Sequence, residues 1–178
     1  MLVSGSQSIF QNIFVSNVSS TGSLIVFDSF GLVSTFLNTT IANVNGETSL
    51  AYIKPTTGNI SMTLRGMVFM NNSIGVLNLA SQSLDTGNFI ISLALMNGSY
   101  EMNSGPALIV VEGLAALNGT INLDFINNTV VNQNSSIAEI GPLVFKGQSG
   151  LSNILFSGNR VTNLESGGAL RISSLTSQ

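Results

Sequence analysis

Ile121-Asn122-Leu123-Asp124-Phe125-Ile126-Asn127-Asn128 decides the fold. From Ile121 to Phe125, apolar and polar residues alternate, the period of a half-buried strand and not of a helix. Its aromatic-x-x-Asn ending recurs as Phe14-Val-Ser-Asn17, Phe69-Met-Asn-Asn72 and Phe156-Ser-Gly-Asn159, with weaker copies at Thr40-Ile-Ala-Asn43 and Ala94-Leu-Met-Asn97. The six asparagines stand 26, 29, 25, 31 and 31 residues apart.

Each copy is followed by a small residue and an apolar run, as in Gly22–Phe27, Ser49–Ile53, Gly75–Leu79, Gly105–Val111, Gly141–Phe145 and Gly167–Ile172. A further apolar stretch precedes the aromatic, as in Phe89–Leu93 and Ile154–Phe156. No window carries a helical stripe with caps. Each unit therefore holds two or three short strands separated by Gly, Ser, Asn and Thr turns. A propeller blade needs about 40 residues, so the unit is too short for one. A parallel β-helix tolerates the drift in spacing, because extra residues leave as loops while the strands keep register. The expectation is an all-β parallel β-helix solenoid of about six coils of 25–31 residues, in one domain over residues 1–178.

In such a coil Phe14, Phe69, Phe125 and Phe156 are expected to stack inside as one aromatic column. Asn17, Asn43, Asn72, Asn97, Asn128 and Asn159 are expected to form one ladder at the turns. Asparagine tolerates the left-handed conformation, and its amide reaches the next coil.

Gly167-Gly168-Ala169-Leu170 and Phe156-Ser157-Gly158-Asn159 resemble the paired GGA(I/L/V) and FxxN repeats of polymorphic outer-membrane-protein-type passenger domains. Similar repeats occur in surface proteins of the pectin-lyase-like superfamily. The resemblance implies a single-stranded right-handed β-helix. For the enzymes of that superfamily it also implies clustered carboxylates on one face.

Composition narrows function further. Of 178 residues only 5 are Lys or Arg and 8 Asp or Glu, and 44% are apolar. Few charges with a normal apolar fraction argue against disorder. Five scattered cations make nucleic acid an unsuitable partner. The absence of His and Cys excludes disulfides, the usual zinc and haem ligand sets, and Ser–His or Cys–His catalysis. No P-loop, dinucleotide or calcium-loop motif occurs, so no cofactor or metal site is expected. The eight acids are Asp28, Glu47, Asp85, Glu101, Glu112, Asp124, Glu139 and Glu165, and no two lie within ten residues. Asp28, Lys54 and Glu112 stand four residues after Leu24, Leu50 and Leu108, and Lys146 follows Leu143 by three. Their alternating signs read as cross-strand pairing, not as a catalytic cluster, and the chain is expected not to be an enzyme.

The start, MLVSGSQSIF, lacks the basic region and apolar run of a signal peptide. No 18-residue apolar span occurs, so membrane insertion is not expected. The chain reads as a processed product or a piece of a longer one. Sixty residues are Ser, Asn or Thr, and eight Asn-x-Ser/Thr sequons occur. An extracellular or cell-surface location with N-linked glycans is the expectation. Asn38, Asn59, Asn71, Asn118, Asn127 and Asn134 are the candidate acceptors, while Asn17 and Asn97 are assigned to the buried ladder. Neither end shows a polar cap of the kind solenoids use. The expected partners are therefore copies of the chain, or further coils of it, end to end. The predicted function is a non-enzymatic structural module of a surface glycoprotein. Two alternatives are kept: an adhesin or passenger domain binding a ligand on its lateral face, and a carbohydrate-active enzyme.

Overall fold

The computed structural model describes residues 2–3, 7–27, 32–53, 58–80, 88–112, 114–116, 118–134, 136–140, 143–145, 149–164, 170–172 and 175–177, with no helix among them. Sheet A holds seven strands in the order β1 (Leu2–Val3), β4 (Ile25–Phe27), β7 (Ser49–Ile53), β10 (Gly75–Ala80), β13 (Ile109–Glu112), β17 (Ala138–Ile140) and β21 (Leu170–Ile172). Sheet B holds β2 (Gln7–Gln11), β5 (Leu32–Leu37), β8 (Gly58–Arg65), β11 (Asn88–Met96), β15 (Asn118–Ile126) and β19 (Ser149–Ser157). Sheet C holds β3 (Phe14–Ser20), β6 (Thr40–Gly46), β9 (Val68–Met70), β12 (Ser99–Glu101), β16 (Thr129–Gln133) and β20 (Arg160–Leu164). A short sheet D joins β14 (Leu114–Ala116), β18 (Leu143–Phe145) and β22 (Leu175–Ser177).

Every strand pair is parallel, and each strand pairs with its counterpart one turn later. The chain is thus a parallel β-solenoid with three long parallel sheets. Paired positions lie from 24 residues apart (Leu2 and Val26) to 32 (Leu77 and Ile109). The passage from sheet B to sheet C does not vary over four turns. Leu32 to Thr40, Ile60 to Val68, Ile91 to Ser99 and Ile121 to Thr129 are each eight residues.

The solenoid encloses about four turns rather than the six expected. Those of β5–β6, β8–β9, β11–β12 and β15–β16 have neighbours on both sides, whereas β2–β3 and β19–β20 are edge rungs. Counting motif copies in the sequence does not separate an enclosed turn from an edge.

Alternation sends one set of side chains inward. Phe36, Leu64, Leu95 and Phe125 form one buried column on sheet B. Ile41, Phe69, Tyr100 and Val130 form another on sheet C. Sheet A contributes Phe27, Ile53, Leu79 and Val111. None of these columns can be buried by a single turn, so stacking supplies the core.

Candidate functional site

The expected single aromatic column resolves into three positions. Phe125 and Phe156 share the inward column of sheet B, with ring centroids 5.4 Å apart. Phe69 is buried on sheet C beside Tyr100. Phe14 is exposed, because it pairs with Thr40, whose column faces outward. Its register lies one residue from that of Phe69, and such a slip reverses the face.

The expected single asparagine ladder likewise divides among four columns at two corners. At the corner between sheets B and C the left-handed residues are Asn12, Asn38, Gly66, Asn97, Asn127 and Gly158. At the second corner, leading from sheet C toward sheet A, they are Asn17, Asn43, Asn71, Met102, Asn132 and Asn163. Asn72, Asn128 and Asn159 stand one step beyond these corners: Asn72 and Asn128 are buried and Asn159 is half-buried. The sequence reading did not single out Asn12, Asn103, Asn132 or Asn163, and it took Asn38, Asn71 and Asn127 as glycan acceptors without placing them at corners. The doublets Asn71-Asn72 and Asn127-Asn128 are the signal that two adjacent columns exist.

The outer asparagines bond along the surface: Asn71 Nδ2 donates to Asn43 Oδ1 at 2.7 Å, and Asn163 Nδ2 to Asn132 Oδ1 at 2.9 Å. The inner ones serve the backbone. Asn72 Oδ1 accepts the Val44 N–H at 2.9 Å while its Nδ2 donates to the Ile41 carbonyl. Asn103 Oδ1 accepts the Asn72 N–H, and its Nδ2 donates to the Phe69 carbonyl. Asn128 and Asn159 repeat the arrangement at the first corner. A chain that turns inward at a corner orphans backbone groups in a dry interior, and an amide satisfies a donor and an acceptor together.

Asn17, Asn38, Asn59, Asn71, Asn97, Asn127 and Asn134 are all exposed. This corrects the burial expected for Asn17 and Asn97, whose left-handed backbone turns the side chain out at a corner. Asn118 opens β15, and its side chain lies outside the described part.

Asp28, Lys54, Asp85, Lys146 and Glu165 lie outside the described residues, so the expected charge column is represented by Glu112 on β13 alone. Glu47 is exposed, and Glu101 accepts a hydrogen bond from Ser99 Oγ at 2.6 Å. No group of three potential metal ligands occurs among the described residues. No described helix is long and apolar enough to cross a membrane.

Several depressions mark the described surface, and two of them bear on function. The outer face of sheet B carries a shallow groove of about 810 Å³ over four rungs. Its outward-facing lining mixes the polar Ser61, Thr63, Ser92, Asn122, Asp124 and Asn153 with the apolar Ala94 and Leu155. Asn153 Nδ2 donates to Asn122 Oδ1, and Asn122 Nδ2 to Ser92 Oγ, so the amides are fixed across rungs. At the first rung an apolar cavity of about 260 Å³ opens between Phe10, Ile13, Val15, Val18, Leu24 and Phe36. At the last rung the inward residues Ile154, Phe156 and Leu164 are half-buried and Val161 is exposed.

No protein-family model, curated protein or solved structure matches the chain, so the resemblance to passenger domains is carried by its two short motifs.

Proposed function

We propose that the chain is a non-enzymatic structural module of a secreted or cell-surface glycoprotein, a right-handed β-helix that stacks end to end into a fibre or long stalk. The observation that carries this reading is the state of the two edge rungs. Their inward columns leave apolar side chains half-exposed, where solenoids normally place polar caps. Among the described residues, β2, β3, β19 and β20 end sheets B and C, and an edge strand offers its outer backbone groups to a further strand. Among the described residues the groove on sheet B is lined by one carboxylate, Asp124, while glycoside hydrolysis by the usual route uses two. A stack of turns with an asparagine-bonded interior supplies length and stiffness without chemistry.

Light scattering and electron microscopy on the 178-residue chain test the proposal. Growth with concentration into rods one solenoid wide is expected. A monomer at every concentration overturns it. The sheet B groove favours a second reading, an adhesin or passenger domain with a lateral ligand. Its test is retention of the monomer on immobilised surface polymers, lost on replacing Asn122 and Asn153 with bulky residues.

A further inference from the structure

We propose that the stack is head to tail in one fixed register, with β19 and β20 of one copy pairing with β2 and β3 of the next. The inference rests on the end-to-end reading above and names its partner surface. Following each paired column from the first rung to the last gives the residues that such a junction would bring together.

Ile9 lies in the column that ends at Leu155. Both face outward, and they are 74% and 46% exposed. Phe10 lies in the column that ends at Phe156. Phe10 already stacks on Phe36 at 4.6 Å, and Phe156 lies tilted against Phe125 at 5.4 Å. The junction therefore joins two aromatic pairs into one run. On sheet C, Phe14 lies in the column that ends at Arg160. Phe14, 71% exposed, is the exposed aromatic of the first rung, and Arg160 is the one charge of β19 and β20. Stacked one strand spacing apart, they form a cation–π pair.

The inward column of sheet C pairs Val15 with Val161, which is 39% exposed. Large apolar side chains exposed singly need no explanation. Exposed at both ends of the same columns, they describe complementary surfaces. Such a contact is heterologous and does not close, so it propagates. Sheet A adds a condition. It carries seven strands where B and C carry six. At each junction the two-residue β1 must therefore yield its place against β4 to β21.

The chain has no cysteine, which permits a clean test. Gln11 and Ser157 end one outward column of sheet B, and both are exposed. Within one copy they are five strand spacings apart, roughly 24 Å. Across the proposed junction they are one spacing apart, about 4.8 Å, within disulfide reach. Chains carrying Gln11→Cys and chains carrying Ser157→Cys are mixed and oxidised. The mixed disulfide is expected to dominate, with each variant alone remaining unlinked. Adding Phe14→Ala should lower the mixed yield about threefold, and removing residues 1–3 should raise it. Gln11→Cys homodimers in excess would mean first-rung-to-first-rung docking and would overturn the register. Particle growth without the mixed disulfide would also overturn it, leaving end-to-end stacking intact. No growth at all would overturn the stacking itself.

Discussion

Asn128 Oδ1 accepts the backbone N–H of Gly98, one turn earlier, at 2.8 Å, while Asn128 Nδ2 reaches the Leu95 carbonyl at 2.9 Å. One amide thus closes two backbone groups at a corner where Asn128 is fully buried. Truncation leaves both orphaned in a dry interior, and unsatisfied buried groups are expensive. Asn128→Ala should cost about 3 kcal/mol. Asn127→Ala, at the exposed neighbouring position, should cost about 1 kcal/mol through its left-handed backbone. Urea midpoints of the two variants check the ordering, and equal losses would contradict it.

Met102 occupies the second corner with φ of 53°, between Asn71 and Asn132. Methionine has no local hydrogen bond to offset the left-handed conformation. Its place in the outer asparagine row is also the gap between two bonded pairs, Asn43–Asn71 and Asn132–Asn163. Met102→Asn should stabilise by about 1 kcal/mol. A thermal melt showing no gain would exclude strain there.

Tyr100 is fully buried among Phe69 and Phe125, and its hydroxyl finds no partner among the described residues. Tyr100→Phe should raise stability by about 1 kcal/mol at neutral pH. Burial also raises the phenol pKa well above its ordinary 10.0. A raised folded pKa means that stability is constant below the unfolded value and falls above it, where only the unfolded chain ionises. Above about pH 10 the wild type should therefore lose stability relative to Tyr100→Phe, by up to about 1.4 kcal/mol per pH unit. Parallel denaturation curves at pH 8 and pH 11 decide this.

Secretion from a glycosylating host should place sugar on Asn17 and Asn97 as readily as on Asn38, Asn71 and Asn127, since all five sit exposed at corners. Glycopeptide mass spectrometry reads the occupancy. Bare Asn17 and Asn97 beside occupied neighbours would show that corner geometry does not govern acceptance.

The alternation in Ile121–Phe125 and the turn-length recurrence of asparagine made the parallel solenoid legible. The corner columns were not, because one residue type does two jobs. Asn71 is outward and left-handed, and Asn72 is inward and bonded to backbone. The aromatic-x-x-Asn pattern also straddles two frames: Phe125 leads into the first corner and Phe69 into the second. A spacing rule cannot tell these frames apart. Only strand pairing does, and it also reveals that Phe14 and Arg160 end the same column.

The eight-residue passage from sheet B to sheet C, constant over four turns and lengthened by one bulged residue between Leu151 and Arg160 in the last rung, makes the molecule modular. Duplicating or deleting one whole turn preserves the inward or outward sense of every other position. Removing one residue inside that passage turns the face of everything after it in the rung. Growth of such a protein over generations is therefore quantised. Its length can change by copying a turn or by lengthening the variable stretch between sheets A and B, while a residue added inside this passage must be absorbed by a bulge, as in β19, where Ile121 pairs with Leu151 but Asn122 with Asn153.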